Sequence, residues 1–503
     1  MIRQAGTVAA TFAANVTTTA APPRWRRKAL VLACASALAA CSPLPPTPLL
    51  ADQAVARQAL AQAGFEQAQG PAVSLGPVPD HWWQLYAEPA LDSLVQQALQ
   101  ANTGLREARA HLQRAQAVVQ AVEAEAGPHA SVEAAGKRAQ EAGETFLLKE
   151  KLPVMNEGNL GFSVSYQIDL FGQLARAEEA AHASQQATAA ALDVVRVSVA
   201  AATVRAYVQG CSATHGLHRA EDALAVQQRR LELARRLAEA GRSPRTTVQA
   251  AQAQTLALQA QLPAYATAQD GAHYQLAALL GLPPQALSRE RTRCEAPPKL
   301  AQPLPVGDGA ALLQRRPDVR EAERQLAAAT ARIGVATAAL YPSIHLGASA
   351  GLSGVLGDLG NASTARWGLG PLISWQIPDN AARARVQASQ ADAQAALAHF
   401  DGVVLNALRE TETALSQYVH DLDEQARLAQ AREQADQVAQ DNRRLYESGR
   451  APLLSQLEAQ GTLSRLDQQV AQSQGQTARD EVALFLALGG GWQPQATPVG
   501  SAH

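Results

Sequence analysis

The sequence has few aromatic residues and few charges, and it lacks the motifs that most enzymes need. Aromatic residues make up 4% of its 503 residues and charged residues 17%, which argues against a large compact core. A net charge of −2 gives no reason to expect a nucleic-acid partner. No Walker loop, HExxH motif or Cys/His cluster of metal spacing is present in the sequence. We therefore predict no enzymatic activity, no cofactor and no metal.

Long apolar runs are missing as well. No apolar run after residue 40 reaches the about 20 residues that a membrane-spanning helix needs. Alanine is abundant instead, together with Leu, Gln, Glu and Arg. This composition is typical of long helices that pack closely along small side chains.

The N-terminus carries a secretion signal. A basic segment, residues 24–28, precedes an apolar run at 29–40 that ends at Cys41. The sequence Leu-Ala-Ala-Cys at 38–41 resembles the bacterial lipobox, in which the cysteine is acylated and becomes the first residue. By the same resemblance, Ser42 implies the outer membrane. The alternatives are a plain signal peptide with a chance cysteine and a short signal anchor.

Two cysteines remain once the signal is removed. Cys34 leaves with it, whereas Cys211 and Cys294 reach the oxidising periplasm and could pair there. The sequence leaves open whether they form a disulfide or stay as two buried thiols.

The chain is an internal duplication. Arg235–Pro244 matches Arg443–Pro452 at an offset of 208 residues, and Leu105–Ala108 matches Val319–Ala322 at 214. A proline-rich segment separates the copies. We predict a signal peptide at 1–40, a lipidated extension at 41–80, a first repeat at 81–284, a linker at 285–310, a second repeat at 311–491 and a tail at 492–503.

Each repeat has the same order of elements. Apolar positions spaced by three or four residues from Leu91 to Leu112 predict an amphipathic helix. Alternating apolar residues then predict two strands per repeat, as in Phe162–Ile168 and Trp367–Ile377. Polar loops near 137–158 and 352–365 separate the strands of each pair.

Very long helices follow the strands. Neither Gly172–Gly241 nor Asn380–Gly449 contains a proline, and at 1.5 Å per residue each spans on the order of 100 Å. A glycine then turns the chain back for about 40 residues in both repeats. The equal lengths predict two hairpins that lie side by side.

Four strands per chain cannot close a barrel, and open strand edges are not tolerated in lipid. The smallest membrane barrels have about eight strands, so chains must pool their strands. Two chains would give eight strands with too little lumen for a wide duct, whereas three would give twelve. Singly, such strands are more typical of a soluble sheet and such helices of a plain coiled coil. Together they predict a mainly α fold with a small β part. In it, internally duplicated long helical hairpins form a periplasmic barrel, and four strands per chain complete a twelve-stranded trimeric outer-membrane β-barrel.

Three motifs carry a family resemblance. The run Gln314–Leu326, which contains Arg-Arg-Pro-Asp-Val, resembles the signature of TolC-like outer-membrane efflux proteins of the NodT lipoprotein type. Tyr166–Gly172 and Leu279–Pro284 resemble that family too. The resemblance covers roughly residues 80–490. It implies a homotrimer with a helical periplasmic tunnel that docks to a periplasmic adaptor protein and an inner-membrane pump.

The resemblance also assigns a gate. In the family, polar residues just after each tip glycine hold the tunnel mouth closed, and Tyr446 and Glu458 match gate positions here. Thr247 and Ser455 stand where relatives carry acidic residues, so a strong acidic ring is in doubt. The simpler alternative for Glu458 is a solvated helix residue.

The tip glycines have two possible roles. Gly241 and Gly449 occupy the turns, where the resemblance implies adaptor docking. The simpler alternative is that they serve only as helix C-caps.

We predict the outer-membrane channel subunit of a tripartite efflux system. The protein would be anchored in outer-membrane lipid, would extend into the periplasm, and would form a passive exit duct for small toxic compounds or antibiotics. The alternatives are the exit duct of a polypeptide secretion system on the same fold and a non-conducting periplasmic scaffold lipoprotein.

Overall fold

The computed structural model of the protein describes residue 54, residues 65–66 and residues 71–490, except for 143, 145, 146, 148, 301 and 378. The predicted signal peptide, the predicted lipidation site Cys41 and the predicted tail at 492–503 lie outside the described residues.

The two halves of the described chain share the order of a short strand, two helices, two long strands and one long helix, and they differ in the return segment that follows. The first half of the described chain has β1 (Val73–Ser74), α1 (Pro89–Ala101), α2 (Thr103–Glu125), β2 (His129–Ala139), β3 (Met155–Ile168), α3 (Gln173–Glu239), α4 (Arg245–Gln259) and α5 (Leu262–Leu279). The second half has β4 (Leu304–Pro305), α6 (Gly309–Arg315), α7 (Pro317–Ala338), β5 (Ser343–Val355), β6 (Ala365–Ser374), α8 (Asn380–Glu447) and α9 (Leu453–Ala487).

The long helices α3 and α8 have 67 and 68 residues. Their ends lie within two residues of the predicted ones. The two return segments have the equal lengths that were predicted, since they end at Leu279 and Ala487, but the first is divided: α4 ends at Gln259 and α5 begins at Leu262. Pro263 lies in the first turn of α5, where its missing N–H and its ring end the preceding helix. In the second repeat, α9 runs unbroken through 35 residues.

Helix α3 contains a stretch that was not expected from the sequence. One 18-residue window has a mean hydropathy of 1.5, which is apolar enough to cross a membrane by length and composition. Half of that window is buried inside the fold. We therefore attribute its apolar character to packing between helices.

The four long strands form one antiparallel sheet in the order β2-β3-β5-β6. The predicted loops were too long, because pairing continues to Ala139 with Met155 and as far as Glu157 with Val355. Glycines and charged residues occupy the strand ends, and they interrupt the apolar alternation without interrupting the hydrogen-bond ladder.

The main core lies at the middle of the long helices. Trp82 stacks on Phe485 with ring centroids 4.5 Å apart, so the start of the first repeat packs against the end of the last helix. Described residues of the predicted extension and linker contribute to this core, since β1 pairs in parallel with β4, and Val73 and Leu304 are buried there. The scarce aromatic residues thus form part of a compact core after all.

Cys211 and Cys294 form a disulfide bond, with their Cα atoms 5.2 Å apart. Cys211 is fully buried in the middle of α3, and Cys294 is half-buried in the segment between the repeats. The bond fixes this segment to α3 and resolves the alternative that the sequence left open.

The helices form a single layer below the sheet. Helices α4 and α5 pack on α3, α3 packs on α9, and α9 packs on α8. Nearer the sheet, α7 contacts both α3 and α8, while α2 contacts α3. The two outer sides of the layer therefore differ: α4 and α5 form one side, and α8 forms the other.

Candidate functional site

The sheet has one continuous apolar face. In register, Val132 pairs with Phe162, Phe162 with Ala350, and Ala350 with Trp367, so these side chains lie on the same side. They are exposed although they are apolar: the exposed fraction is 74% for Val132, 85% for Trp367 and 72% for Leu369. A face of this size and chemistry is typical of a surface that contacts lipid or another protein.

The opposite face of the sheet is polar. Lys137 lies 2.7 Å from the carboxylate of Glu141 and 3.0 Å from that of Glu157, its partner across the strands. Further along the sheet, Arg366 donates a 2.8 Å hydrogen bond to Asn159. Such a face is suited to contact with water.

Both edge strands, β2 and β6, pair on one side only within the described chain. An unpaired strand edge presents a row of free N–H and C=O groups. Those groups cannot lie in lipid without partners, so the sheet is incomplete as a membrane-spanning unit.

The two hairpin tips have the same backbone geometry. Gly241 and Gly449 have φ angles of 70° and 72°, in the left-handed region that favours glycine. The residue after each glycine donates its N–H to the carbonyl five residues earlier, at 2.7 Å for Arg242 to Leu237 and 2.8 Å for Arg450 to Leu445. These are Schellman C-caps, so the capping role expected for both glycines is observed.

The tips lie at the same end of the molecule. A Cβ on Gly461 of α9 would lie 3.6 Å from Nη1 of Arg230 on α3, and one on Gly475 would lie 2.9 Å from Oγ of Ser212. Arg230 precedes Gly241 by 11 residues, and Gly461 follows Gly449 by 12. Helices α3 and α9 therefore run antiparallel with their turns at one level.

The predicted gate residues divide between the tips. Tyr446 lies in the last turn of α8, and Ser455 and Glu458 lie in the first turns of α9, so these three are near Gly449. Thr247 lies in the first turn of α4, at the other tip. Tyr446, Glu458 and Thr247 are exposed, and Ser455 is half-buried. Within the described part of the chain, Glu458 has no ion-pair partner.

The Arg-Arg-Pro-Asp-Val motif forms a structural clamp. Arg316, 8% exposed, precedes α7 and donates to both carboxylate oxygens of Asp318, at 3.0 and 2.7 Å. It also donates to Glu410 on α8 and to the carbonyl of Ala487 at the end of α9, both at 2.9 Å. One guanidinium thus joins three helices beside the core.

A second buried polar group lies on α9. The hydroxyl of Tyr86 donates a 2.9 Å hydrogen bond to Glu481, which is 6% exposed. Burial, with the nearby Asp480 carboxylate, raises the pKa of Glu481 to about 7, although the Tyr86 bond opposes this. Burial also raises the pKa of Asp480, which faces Asp421. Two carboxyl groups can share a hydrogen bond only when one of them carries a proton.

A model of the family described as outer membrane efflux protein matches residues 94–282 and 310–490. The chain belongs to this family. The two matched segments correspond to the two repeats seen in the fold.

The efflux-protein relatives cover most of the chain. Nodulation protein T of Rhizobium leguminosarum bv. viciae is 28% identical over 427 residues, which are 84% of this chain and 87% of the relative. Pyoverdine export outer membrane protein OpmQ of Pseudomonas putida is 30% identical over 473 residues, 91% and 96% of the two chains. The solved outer-membrane channel OprN is 31% identical with a TM-score of 0.79, and the match covers 86% of this chain and 97% of that one.

As an outer membrane efflux protein, the chain is the outer-membrane channel component of an efflux system and extends into the periplasm. The predicted family, fold class, function and location are thereby confirmed. The Cys41 lipidation, the gate residues and the docking role of the tip glycines remain predictions. From the sequence, the motif around Arg316 was identified only as a family signature, without its structural role. No sequence pattern indicated the buried carboxyl group of Glu481.

Proposed function

We propose that three copies of this efflux protein close into one duct. The sheet supplies four strands with two free edges, and three such sheets joined edge to edge give a twelve-stranded barrel. In that barrel the apolar face, with Trp367 and Leu369, contacts lipid. The polar face, with Lys137 and Arg366, lines water.

The helical layer supports the same closure. Its two outer sides differ, so copies join head to tail, and such contacts form a closed ring when the rotation between copies fits. Exposed apolar side chains lie on both sides: Leu256 and Tyr274 on α4 and α5, and Leu405 and Val438 on α8. Contact between these sides in neighbouring copies would bury them.

The duct is passive and takes its energy from partners. The observation that carries this proposal is one two-faced, open-edged sheet continuous with two hairpins on the order of 100 Å long. We infer an inner-membrane pump and a periplasmic adaptor as partners, with small toxic compounds or antibiotics as cargo. The similarity to the pyoverdine export protein OpmQ supports a small-molecule cargo. Acylation of Cys41 would add a lipid anchor.

At the periplasmic end, the exposed turns at Gly241 and Gly449 are proposed to dock the adaptor. Thr247, Tyr446, Ser455 and Glu458 are proposed to line the mouth. Three copies of the unpaired Glu458 would form a ring that favours cations. In single-channel recordings, Glu458→Gln should therefore lower cation selectivity. Glu447→Gln is the control, since its carboxylate is paired with Arg443 at 2.9 Å.

Two measurements test the duct. Cells that lack the gene should accumulate several dyes and antibiotics, and the intact gene should restore their export. The purified trimer should conduct in planar bilayers. Normal export in the deletion strain together with loss of a secreted polypeptide would favour polypeptide secretion. No current under any voltage would favour a non-conducting scaffold.

A further inference from the structure

The two hairpin tips have the same backbone shape but different charge. We define the first tip as residues 229–245 and the second tip as residues 437–453, which correspond at the repeat offset of 208. Six arginines and two glutamates give the first tip a formal charge of +4: Arg229, Arg230, Arg235, Arg236, Arg242 and Arg245, with Glu232 and Glu239. Three arginines and two acids give the second tip a charge of +1: Arg443, Arg444 and Arg450, with Asp441 and Glu447.

Ion pairing widens the difference. At the first tip only Arg236 has an ion-pair partner among the described residues, Glu232 at 2.9 Å. At the second tip, Arg443 pairs with Glu447 at 2.9 Å and Arg444 with Asp441 at 3.6 Å. Arg450 is the one arginine there without such a partner in the described chain. The first tip therefore presents five unpaired guanidinium groups and the second tip one.

The excess charge extends along the helix and is not confined to the turn. Arg229 precedes Gly241 by 12 residues, which places it about 18 Å back along α3. Arg229, Arg235 and Arg242 are all exposed. A flat anionic membrane facing the turn would reach Arg242 and Arg245 but not Arg229. A protein segment lying along the hairpin could contact Arg229 as well as Arg242 and Arg245.

We propose that the first tip binds an acidic surface of a partner protein and that the second tip does not share this chemistry. The inference rests on the proposed docking of a periplasmic partner at the tips. The two turns of each chain would then bind a partner differently: the first through charge and the second through shape alone. Electrostatic complementarity of this kind sets specificity and association rate more than affinity, and salt weakens it.

The repeat supplies a matched control for the test. Arg235→Gln with Arg242→Gln removes two unpaired charges from the first tip. Arg443→Gln with Arg450→Gln makes the corresponding change at the second tip. All four residues are exposed, and both variants keep Gly241 and Gly449. The probe is fluorescent poly-L-glutamate, titrated against the purified full-length trimer at low and high salt, with phosphatidylglycerol vesicles as the second probe.

We expect the first-tip variant to weaken poly-L-glutamate binding about tenfold at low salt, since each exposed charge contact is worth at most about 1 kcal/mol. The second-tip variant should change it less than threefold, and high salt should remove the difference. Equal losses in both variants would overturn the proposal. So would first-tip-dependent binding to vesicles without binding to poly-L-glutamate, because the ligand would then be lipid.

Conductance in planar bilayers separates this inference from the proposed function. Both variants should conduct like the wild-type trimer, because the substitutions leave the sheet and the hairpins intact. In cells, dye export should fall more in the first-tip variant. If the wild-type trimer does not conduct, the proposed duct is wrong. If the wild-type trimer conducts and both variants export dye equally well, only the proposal of an acidic partner surface at the first tip is wrong.

Discussion

The hydroxyl of Tyr86 and the carboxylate of Glu481 are joined by a buried 2.9 Å hydrogen bond across 395 residues of sequence. The bond links the start of the first repeat to the end of the last helix, next to the stacked rings of Trp82 and Phe485. A buried carboxyl group at this junction makes the stability of the core depend on pH.

Glu481→Gln should make the protein less sensitive to pH. Burial raises the pKa of Glu481 from 4.5 to about 7 in the folded chain, so the folded state binds the proton more tightly than the unfolded state. The folded state therefore loses stability as pH rises from about 4.5 to about 7, by on the order of 2–3 kcal/mol. The Gln amide oxygen can still accept from Tyr86.

The measurement is the midpoint of thermal unfolding at pH 5 and pH 8. We expect the Gln variant to exceed wild type at pH 8, with the two converging at pH 5. Glu424→Gln, an exposed change on α8, serves as the control and should follow wild type at both values. A Gln variant whose pH dependence equals that of wild type would contradict the prediction.

Arg316→Ala should destabilise the junction of α7, α8 and α9. It leaves Asp318, Glu410 and the Ala487 carbonyl without their shared donor. We expect a loss of about 2–3 kcal/mol, less than for a fully buried pair because both carboxylates are partly exposed. Denaturant unfolding would measure it. Arg409→Ala, which removes a 62% exposed side chain 3.6 Å from Glu410, should cost under 1 kcal/mol. Equal losses of unfolding free energy in the Arg316 and Arg409 variants would contradict this role for Arg316.

The ends of the long helices could be predicted from sequence because strong local signals mark them. Gly241 and Gly449 adopt positive φ as C-caps, and Pro244 and Pro452 follow three residues later. The strand ends were harder to predict, because Gly136 and Gly158 lie at apolar-face positions but have no side chain that would continue the apolar alternation. The break between α4 and α5 does have a signal in the sequence, because Pro263 disfavours a continuous helix at that position.

Contacts between distant segments could not be predicted in this way. The parallel pairing of Val73 with Leu304 and the clamp around Arg316 depend on how the repeats fold back on each other. The same holds for the disulfide, since the sequence does not give the distance between Cys211 and Cys294. The gate residues came from family resemblance and not from any physical pattern in the chain.

Cys211→Ala with Cys294→Ala should lower stability substantially. The bond closes a loop with a sequence separation of 83 residues, and in the chain-entropy model this lowers the entropy of the unfolded chain enough to stabilise the fold by about 4.5 kcal/mol. We expect a lower unfolding midpoint and faster protease cleavage between residues 285 and 306. Reductant should lower the midpoint of the wild type but not that of the double variant. Unfolding that is unchanged by reductant and by the double substitution would contradict the prediction.

Leu369→Arg should block assembly of the barrel, whereas Ser349→Arg should be tolerated. Leu369 is 72% exposed on the apolar face in the middle of β6, and Ser349 lies on the polar face of β5, where it pairs with Gly368. An arginine on the lipid side costs about 2–4 kcal/mol near the bilayer centre. On the polar face it stays in water. The readout is the yield of folded trimer in outer-membrane fractions, scored by resistance to unfolding in detergent without heating. If the two variants assemble equally well, the apolar face does not contact lipid, and the closure of three sheets into a barrel would have to be abandoned.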